Sequence, residues 1–315
     1  MGGFVLRRLV GLVLTLALAS IVVFVALEVL PGDVARVMLG PNATEDAVEA
    51  LRRELGLDAS APARYLDWAS GLLTGDLGAS HTYSSGVGPL IAERAAVSVP
   101  LALASLSLTV LIAVPIGIAA AARRGTAFDT GITGATQLGI AIPNFWFAIL
   151  LVYVFAVTLR LVPSSGFPGW DEPGRAVASL ALPTLALAIP QAAILARVTR
   201  SALVETLGAD FVRTARAKGA GARRVLWGHA LRNAFVPMLT IMGLQFAFLL
   251  SGVVIIEQIF SLPGIGRLVY RGILNDDLPL VRGVVMVLVA SVIAINFFID
   301  VSYAAVDPRL RHARG

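Results

Sequence analysis

The sequence predicts an all-α polytopic membrane protein with six transmembrane helices. Of its 315 residues, 57% are apolar and 14% are charged, and the mean hydropathy is +0.83. Soluble domains usually carry about 25% charged residues. The chain also contains long apolar stretches, and an α-helix needs about 20 such residues to cross about 30 Å of hydrocarbon. A water-soluble globular domain is therefore excluded, as is a disordered chain, which would be poor in apolar residues.

Six stretches are long and apolar enough to span a membrane. Lipid offers the backbone no hydrogen-bond partner, so each stretch must be helical. In chain order they cover residues 9–30, 97–122, 136–159, 177–196, 234–256 and 283–299, the last continuing towards 305. The first also resembles a signal peptide, but its apolar run continues beyond the cleavage-like Ala17-Leu18-Ala19, so a retained span is preferred.

The distribution of arginine predicts the orientation. Cytoplasmic loops carry an excess of Lys and Arg. With the N-terminus inside, the internal segments hold Arg7, Arg8, Arg123, Arg124, a cluster from Arg197 to Arg232, and the C-terminal arginines. We therefore expect both termini in the cytoplasm.

This arrangement divides the chain into three predicted parts. Residues 1–96 form the first span and a large external loop with an amphipathic helix, which Asn42 or Thr44 caps and Gly56 ends. Residues 97–305 form a five-helix core that includes the cytoplasmic loop 197–234. Residues 306–315 form a cytoplasmic tail.

The sequence carries no signature of an enzyme or a metal site. Cysteine is absent, which excludes a thiolate metal site and a cysteine nucleophile. The only lysine, Lys218, stands between Ala217 and Gly219, whereas a phosphate-binding loop needs Gly-Lys-Ser/Thr. We therefore expect no catalytic residue, and no metal, ATP or other cofactor bound by this chain.

The histidines and external serines support the same expectation. His81, His229 and His312 are far apart in the chain, so metal-ligand spacing such as His-Glu-x-x-His is absent. Ser80 and His81 fall in the predicted external loop, where we interpret them as solvated turn residues.

Neutral polar residues within the spans leave two alternatives open. Ion-coupled carriers usually place ionisable groups at mid-membrane, whereas Glu28, Glu257 and Asp300 lie near the ends of predicted spans. Five neutral amide side chains fall within the predicted spans. They either form hydrogen bonds between helices or line a path for a neutral or zwitterionic solute. These residues are Gln137, Asn144, Gln191, Gln245 and Asn296.

The internal loop contains a short helix with recognisable ends. Asp210 is a favourable N-cap, residues 211–218 suit about two turns, and Gly219 is placed to adopt a left-handed conformation after them. Small Ala215 and Ala217 would let another protein approach closely. The arginines of this loop also suit a simple contact with anionic lipid, but a capped helix favours protein docking.

Several short motifs occur in an order that resembles one family. These motifs are Leu30-Pro31-Gly32-Asp33, Leu55-Gly56-Leu57-Asp58, Gly75-Asp76-Leu77-Gly78, Arg213-Thr214-Ala215-Arg216-Ala217-Lys218-Gly219, His229-Ala230-Leu231-Arg232-Asn233, Phe260-Ser261-Leu262-Pro263-Gly264-Ile265-Gly266 and Asp307-Pro308-Arg309. Together they resemble the first integral-membrane permease subunit of bacterial ABC importers for dipeptides, oligopeptides and nickel. The resemblance extends over nearly the whole chain.

The resemblance implies a type I ABC importer permease in the bacterial plasma membrane. It implies a second homologous permease, two cytoplasmic ATPase subunits that hold ATP and Mg, and an extracellular or periplasmic substrate-binding protein. It also implies that a coupling helix contacts the ATPase through Asp210, Phe211, Arg213, Thr214, Ala215, Arg216, Ala217, Lys218 and Gly219. Alternatives are an ion-coupled secondary transporter, or an importer for nickel chelates or another small solute.

The predicted orientation can be tested by cysteine labelling, because the chain contains no cysteine. Ala59→Cys should react with a membrane-impermeant thiol reagent added outside intact cells. Ala220→Cys should react only when the reagent reaches the cytoplasmic face. Labelling of both positions from one face would contradict the orientation.

Overall fold

A computed structural model describes residues 2–28, 34–40, 42–54 and 56–306. Within these residues the one sheet is a small antiparallel hairpin of β1 (Ala79–Ser80) and β2 (Ser85–Gly86). The helices, in chain order, are α1 (Gly2–Glu28), α2 (Val34–Leu39), α3 (Glu45–Glu54), α4 (Ala61–Thr74), α5 (Val87–Ala122), α6 (Ala127–Ala141), α7 (Asn144–Leu151), α8 (Pro173–Leu207), α9 (Asp210–Ala217), α10 (Ala222–Arg224), α11 (Leu231–Ile259), α12 (Ile265–Leu274) and α13 (Leu278–Val306). Two π-helical segments, Val152–Thr158 and Val225–Ala230, continue α7 and join α10 to α11.

The apolar spans agree with the prediction in number but not in shape. Five helical stretches of the described chain are long and apolar enough to cross a membrane, and a bent helix pair gives a sixth if it counts as one span. These five candidates are Val5–Glu28, Val87–Ala122, Pro173–Leu207, Ala222–Ile259 and Leu278–Ser302.

The predicted third span, 136–159, is not one straight helix. Helix α6 and the segment from Asn144 to Thr158 meet at an angle of 97°. Pro143 causes the break, because proline lacks a backbone donor and disfavours the helical conformation of the residue before it. Ile142 is accordingly extended, with φ −83° and ψ 119°.

Some predicted features lie outside the described residues. They are the end of the first span with the Leu30–Asp33 motif, Leu55 at the end of the amphipathic helix, and the cytoplasmic tail beyond Val306. The amphipathic helix itself is confirmed as α3. Thr44, not Asn42, caps it, since the Ala47 N–H donates to Thr44 Oγ1 at 3.4 Å.

The described residues form two compact units, and the boundaries between them fall at Ser98 and Phe297 and between Leu262 and Pro263. In the first unit, α1, α4 and the start of α13 contribute an aromatic cluster. The ring centroids of Phe24 and Tyr65 lie 5.4 Å apart, and the Arg282 guanidinium lies 4.6 Å from the Phe24 centroid. The Glu28–Arg64 ion pair lies beside this cluster. Tyr65 and Trp68 of α4 both pack on Phe24 of α1.

In the second unit, small residues allow helices to approach closely. A Cβ at Gly117 of α5 would lie 2.6 Å from the Thr199 Cβ of α8, and a Cβ at Gly139 of α6 would lie 2.8 Å from the Ala193 Cβ. Glycine and alanine at such contacts are characteristic of membrane helix packing. Helix α8 therefore contacts α5, α6, α7 and α11 and occupies the centre of this unit.

Asp277 connects the hairpin of the first unit to the start of α13. Its carboxylate accepts hydrogen bonds from Ser80 Oγ at 2.6 Å, the Thr82 N–H at 3.0 Å and the Leu280 N–H at 3.2 Å. Burial alone would raise the pKa of Asp277, but these hydrogen bonds outweigh burial and hold the pKa below its usual value. The interpretation of Ser80 as a solvated turn residue is therefore wrong, because its side chain is buried against a charged partner.

The helix before Asp277, α12, has an apolar stripe that is largely buried. Leu268, Val269 and Gly272 are buried, whereas 58% of Ile273 is exposed. Gly272 packs closely on Leu280, so α12 lies against the start of α13.

Replacing Asp277 by Asn should lower the stability of the first unit. The lost charged hydrogen bonds should cost about 1–3 kcal/mol and lower the thermal unfolding midpoint in detergent at pH 7. Because the folded-state pKa lies below the unfolded value of about 3.9, this difference should persist above about pH 5 and vanish as pH falls through the folded-state pKa. Asp276→Asn is the control, because Asp276 is exposed. Equal midpoints for the two variants would contradict this role.

Candidate functional site

The loop between α8 and α11 presents α9 as a separate short helix. Ala209 is its N-cap, with φ −71° and ψ 152°, and Asp210 is its first helical residue. The prediction that Asp210 is the N-cap is therefore wrong by one residue, because Ala209 occupies that position. The Asp210 carboxylate instead interacts with the positive end of the helix dipole and pairs with Arg213 at 3.3 Å.

The end of α9 confirms the predicted left-handed glycine. Gly219 has φ +84°, and the Ala220 N–H donates to the Ala215 carbonyl at 3.1 Å. The Gly219 N–H donates to the Arg216 carbonyl at 2.9 Å. These bonds satisfy carbonyls at the helix end and turn the chain sharply towards α10.

Helix α9 has one buried face and one exposed face. Val212 is fully buried, and α9 packs on the π-helical segment Val225–Ala230. Thr214, Ala217 and Lys218 lie on the opposite side and are exposed, as is Phe211 at its edge. Ala215 is half-buried, so Ala217 is the small residue that the free face presents.

A continuous helix connects this short helix to the membrane part of the chain. From Ala222 to Ile259 the backbone is helical through α10, the π-helical segment and α11. The residues on which α9 rests therefore belong to a membrane-spanning helix. A force applied to α9 would act directly on that helix.

The structure brings together two of the five polar amides named from the sequence. Gln245 Nε2 of α11 donates to the Gln191 backbone carbonyl of α8 at 2.8 Å, and both residues are buried. The side-chain oxygens of both residues are buried without a hydrogen-bond partner.

The other three amides lie apart from this pair. Gln137 is exposed and accepts a bond from Arg197 at 3.4 Å. Asn144 is half-buried at the start of α7, near Gly252. Asn296 is exposed on α13 and belongs to the other compact unit.

Sequence reasoning missed an ion pair between α6 and α8. Arg200 donates from Nε to Asp129 Oδ1 at 2.5 Å and from Nη2 to Oδ2 at 2.7 Å, and Asp129 is buried. The Asp129 N–H in turn donates to Thr126 Oγ1. A threonine followed three residues later by an acidic residue is a helix-start pattern, and that signal could have drawn attention to Asp129.

No group of three or more potential metal ligands occurs within the described residues. The candidate site consists of a short helix with one exposed face, its glycine turn and the long helix on which it packs.

Comparison with known proteins identifies the family. Residues 113–312 match the family model of the binding-protein-dependent transport system inner membrane component, and residues 1–115 match the model of its N-terminal part. A solved structure of the MetNI methionine ABC transporter in an inward-facing conformation shares the fold, with a TM-score of 0.57 and 18% identity over 69% of this chain and 96% of that chain.

Curated relatives match over nearly their whole length. A protein of Brucella abortus named "Putative peptide transport system permease protein" is 41% identical over 99% of this chain and 100% of its own. A probable peptide ABC transporter permease protein of Sinorhizobium fredii is 38% identical over 99% of this chain and 100% of its own. The glutathione transport system permease protein GsiC of Salmonella typhimurium is 38% identical over 98% of this chain and 99% of its own. The chain therefore belongs to the family of inner membrane components of binding-protein-dependent transport systems, the permease subunits of ABC importers.

Proposed function

We propose that this permease carries dipeptides or oligopeptides, together with a second homologous permease. The observation that supports this substrate class is the identity of 38–41% to permeases named for peptide or glutathione transport, over at least 98% of the chain. Solute would arrive from an extracellular or periplasmic binding protein. Both termini would lie in the cytoplasm, as the arginine distribution predicts.

Helix α9 would be the coupling helix that contacts a cytoplasmic ATPase subunit. Its exposed face, its buried Val212 and the left-handed Gly219 support this assignment. Closure of two ATPase subunits around ATP and Mg would displace α9. The displacement would pass through Val212 to the helix from Ala222 to Ile259 and change the side from which the path is open.

The π-helical segment beneath α9 is suited to such a movement. Its wider turn is less regular than that of an α-helix, and π-helical segments often occur at functional positions. A shift between α and π hydrogen bonding would let α11 move relative to α9 without breaking the helix.

The translocation path would be lined by amides between α8 and α11. The unpartnered side-chain oxygens of Gln191 and Gln245 can accept hydrogen bonds from the ammonium and amide groups of a peptide. Gln137 and Asn144 would contribute at other points of the path.

Uptake into proteoliposomes tests the function and its alternatives. With the binding protein, both permeases and the ATPase subunits present, a labelled tripeptide should accumulate when ATP is enclosed, and an ionophore should not abolish this. Uptake that requires an ion gradient but not ATP would favour a secondary transporter. Uptake of nickel chelates without peptide would overturn the substrate class.

The same assay tests the path with Gln191→Leu. This change keeps the backbone carbonyl that accepts the Gln245 bond and removes a side-chain oxygen that has no partner. If Gln191 is purely structural, uptake by the variant should be unchanged. If Gln191 binds peptide, the variant should take up about tenfold less, since hydrogen bonds to charged groups contribute about 1.5–3 kcal/mol. Gln258→Leu is the control, because Gln258 also has a buried unpartnered amide atom but lies outside the proposed path.

Gly219→Val should uncouple the importer, and Gly221→Val should not. Both glycines have open space where a Cβ would lie, but only Gly219 has a positive φ, whereas Gly221 has φ −65°. Valine at Gly219 should therefore strain the turn by about 1–2 kcal/mol. Binding-protein-stimulated ATP hydrolysis and copurification of the ATPase subunits are the measurements.

Both variants should reach the membrane with the second permease, because neither substitution lies in an apolar span. Loss of stimulated hydrolysis in Gly219→Val alone is the expected result. Normal hydrolysis in both variants would remove α9 and its turn from the coupling mechanism.

A further inference from the structure

A groove lies on the inner side of α9, between α9 and the ends of three membrane-spanning helices. It encloses about 540 Å³. The end of α5, the end of α8 and the start of the helix from Ala222 form its walls. Its apolar lining includes Ala121, Val204, Leu207 and Leu226, which continue the core cluster beneath.

Three arginines line this groove: Arg124, Arg216 and Arg223. None of them forms an ion pair in the part of the chain that the structure describes, and no carboxylate lines the groove. The C-terminal ends of α5 and α8 each contribute about half a negative charge, which is less than the charge of the three arginines, so the lining has a net positive charge. The groove therefore attracts anions.

The position of the groove favours a ligand that is both anionic and attached to the membrane. It opens where three apolar spans end, and Ala121 and Ala122 are the last residues of an apolar stretch. Trp227, which lines the groove, is 55% exposed, as is common for tryptophan at a membrane surface. A second depression of about 910 Å³ adjoins it and adds Arg224.

We propose that this groove binds the phosphate-bearing headgroup of an anionic phospholipid of the cytoplasmic leaflet. Arg124 and Arg223 contact the phosphate, Trp227 lies beside the glycerol region, and the acyl chains follow the apolar ends of α5 and α8. Basic pockets between membrane helices are known to suit such headgroups. The bound lipid would connect α5 and α8 to the base of α9.

The geometry separates this groove from the surface that α9 offers to a protein. Arg216 lies one helical turn after the buried Val212, on the same side of α9. Thr214, Ala217 and Lys218 are on the other side. The lipid site therefore does not depend on which protein docks on α9.

Photocrosslinking of the complete importer in nanodiscs tests the lipid site. A photoreactive phosphatidylglycerol in phosphatidylcholine nanodiscs should label peptides around 121–124, 204–208 and 222–227. Unlabelled phosphatidylglycerol should compete at a lower mole fraction than phosphatidylcholine. The double variant Arg124→Gln/Arg223→Gln should lower labelling about tenfold or more, since each arginine near an anionic headgroup contributes about 1 kcal/mol.

The control is Arg7→Gln/Arg232→Gln, which removes the same charge from exposed positions outside the groove. Unchanged labelling in the control variant would support a specific lipid site in the groove. Equal losses in both variants would show that the lipid is attracted only to the basic surface in general, and would overturn the proposal. Competition by millimolar glycerol 3-phosphate would identify a site for free phosphate instead. If the groove variant loses its ATPase subunits in lipid-free detergent, the groove belongs to the protein interface and the lipid proposal fails.

Discussion

The hydrocarbon interior of a membrane cannot hydrogen-bond the backbone, and the architecture of this permease follows from that constraint. Apolar stretches therefore become helices that satisfy their own backbone groups. Irregular backbone occurs where water or other protein groups can form the backbone hydrogen bonds that a helix would otherwise supply, as in the β1–β2 hairpin and the Gly219 turn. The break at Pro143 is the exception within an apolar stretch, and there the chain turns by 97°.

Within that constraint, specific contacts join the helices. Glycine at 117 brings α5 against α8, and the buried Asp129–Arg200 pair joins α6 to α8. Both contacts involve the last third of α8, immediately before the loop that carries α9. The coupling role proposed for α9 would require such a firmly held base, because a loose base would absorb the displacement instead of passing it to the spans.

The two sides of α9 have different physical chemistry. The free side exposes small and polar residues without a strong net charge, which suits close contact with a protein surface. On the inner side, Arg216 joins Arg124 and Arg223 around a groove that attracts an anion. In the roles proposed above, this short helix would meet a protein on one side and a lipid headgroup on the other.

The sequence by itself determined the helical membrane class, the number of apolar stretches and the short helix with its glycine turn, because these depend on local composition and on the conformational freedom of single residues. The motif order also identified the family correctly. The tertiary structure decided which polar residues meet. Asp277 with Ser80, Asp129 with Arg200 and Gln245 with Gln191 are joined across 197, 71 and 54 positions of the chain. Local patterns carry no information about such pairs, because the distance between two side chains on different helices depends on how those helices pack.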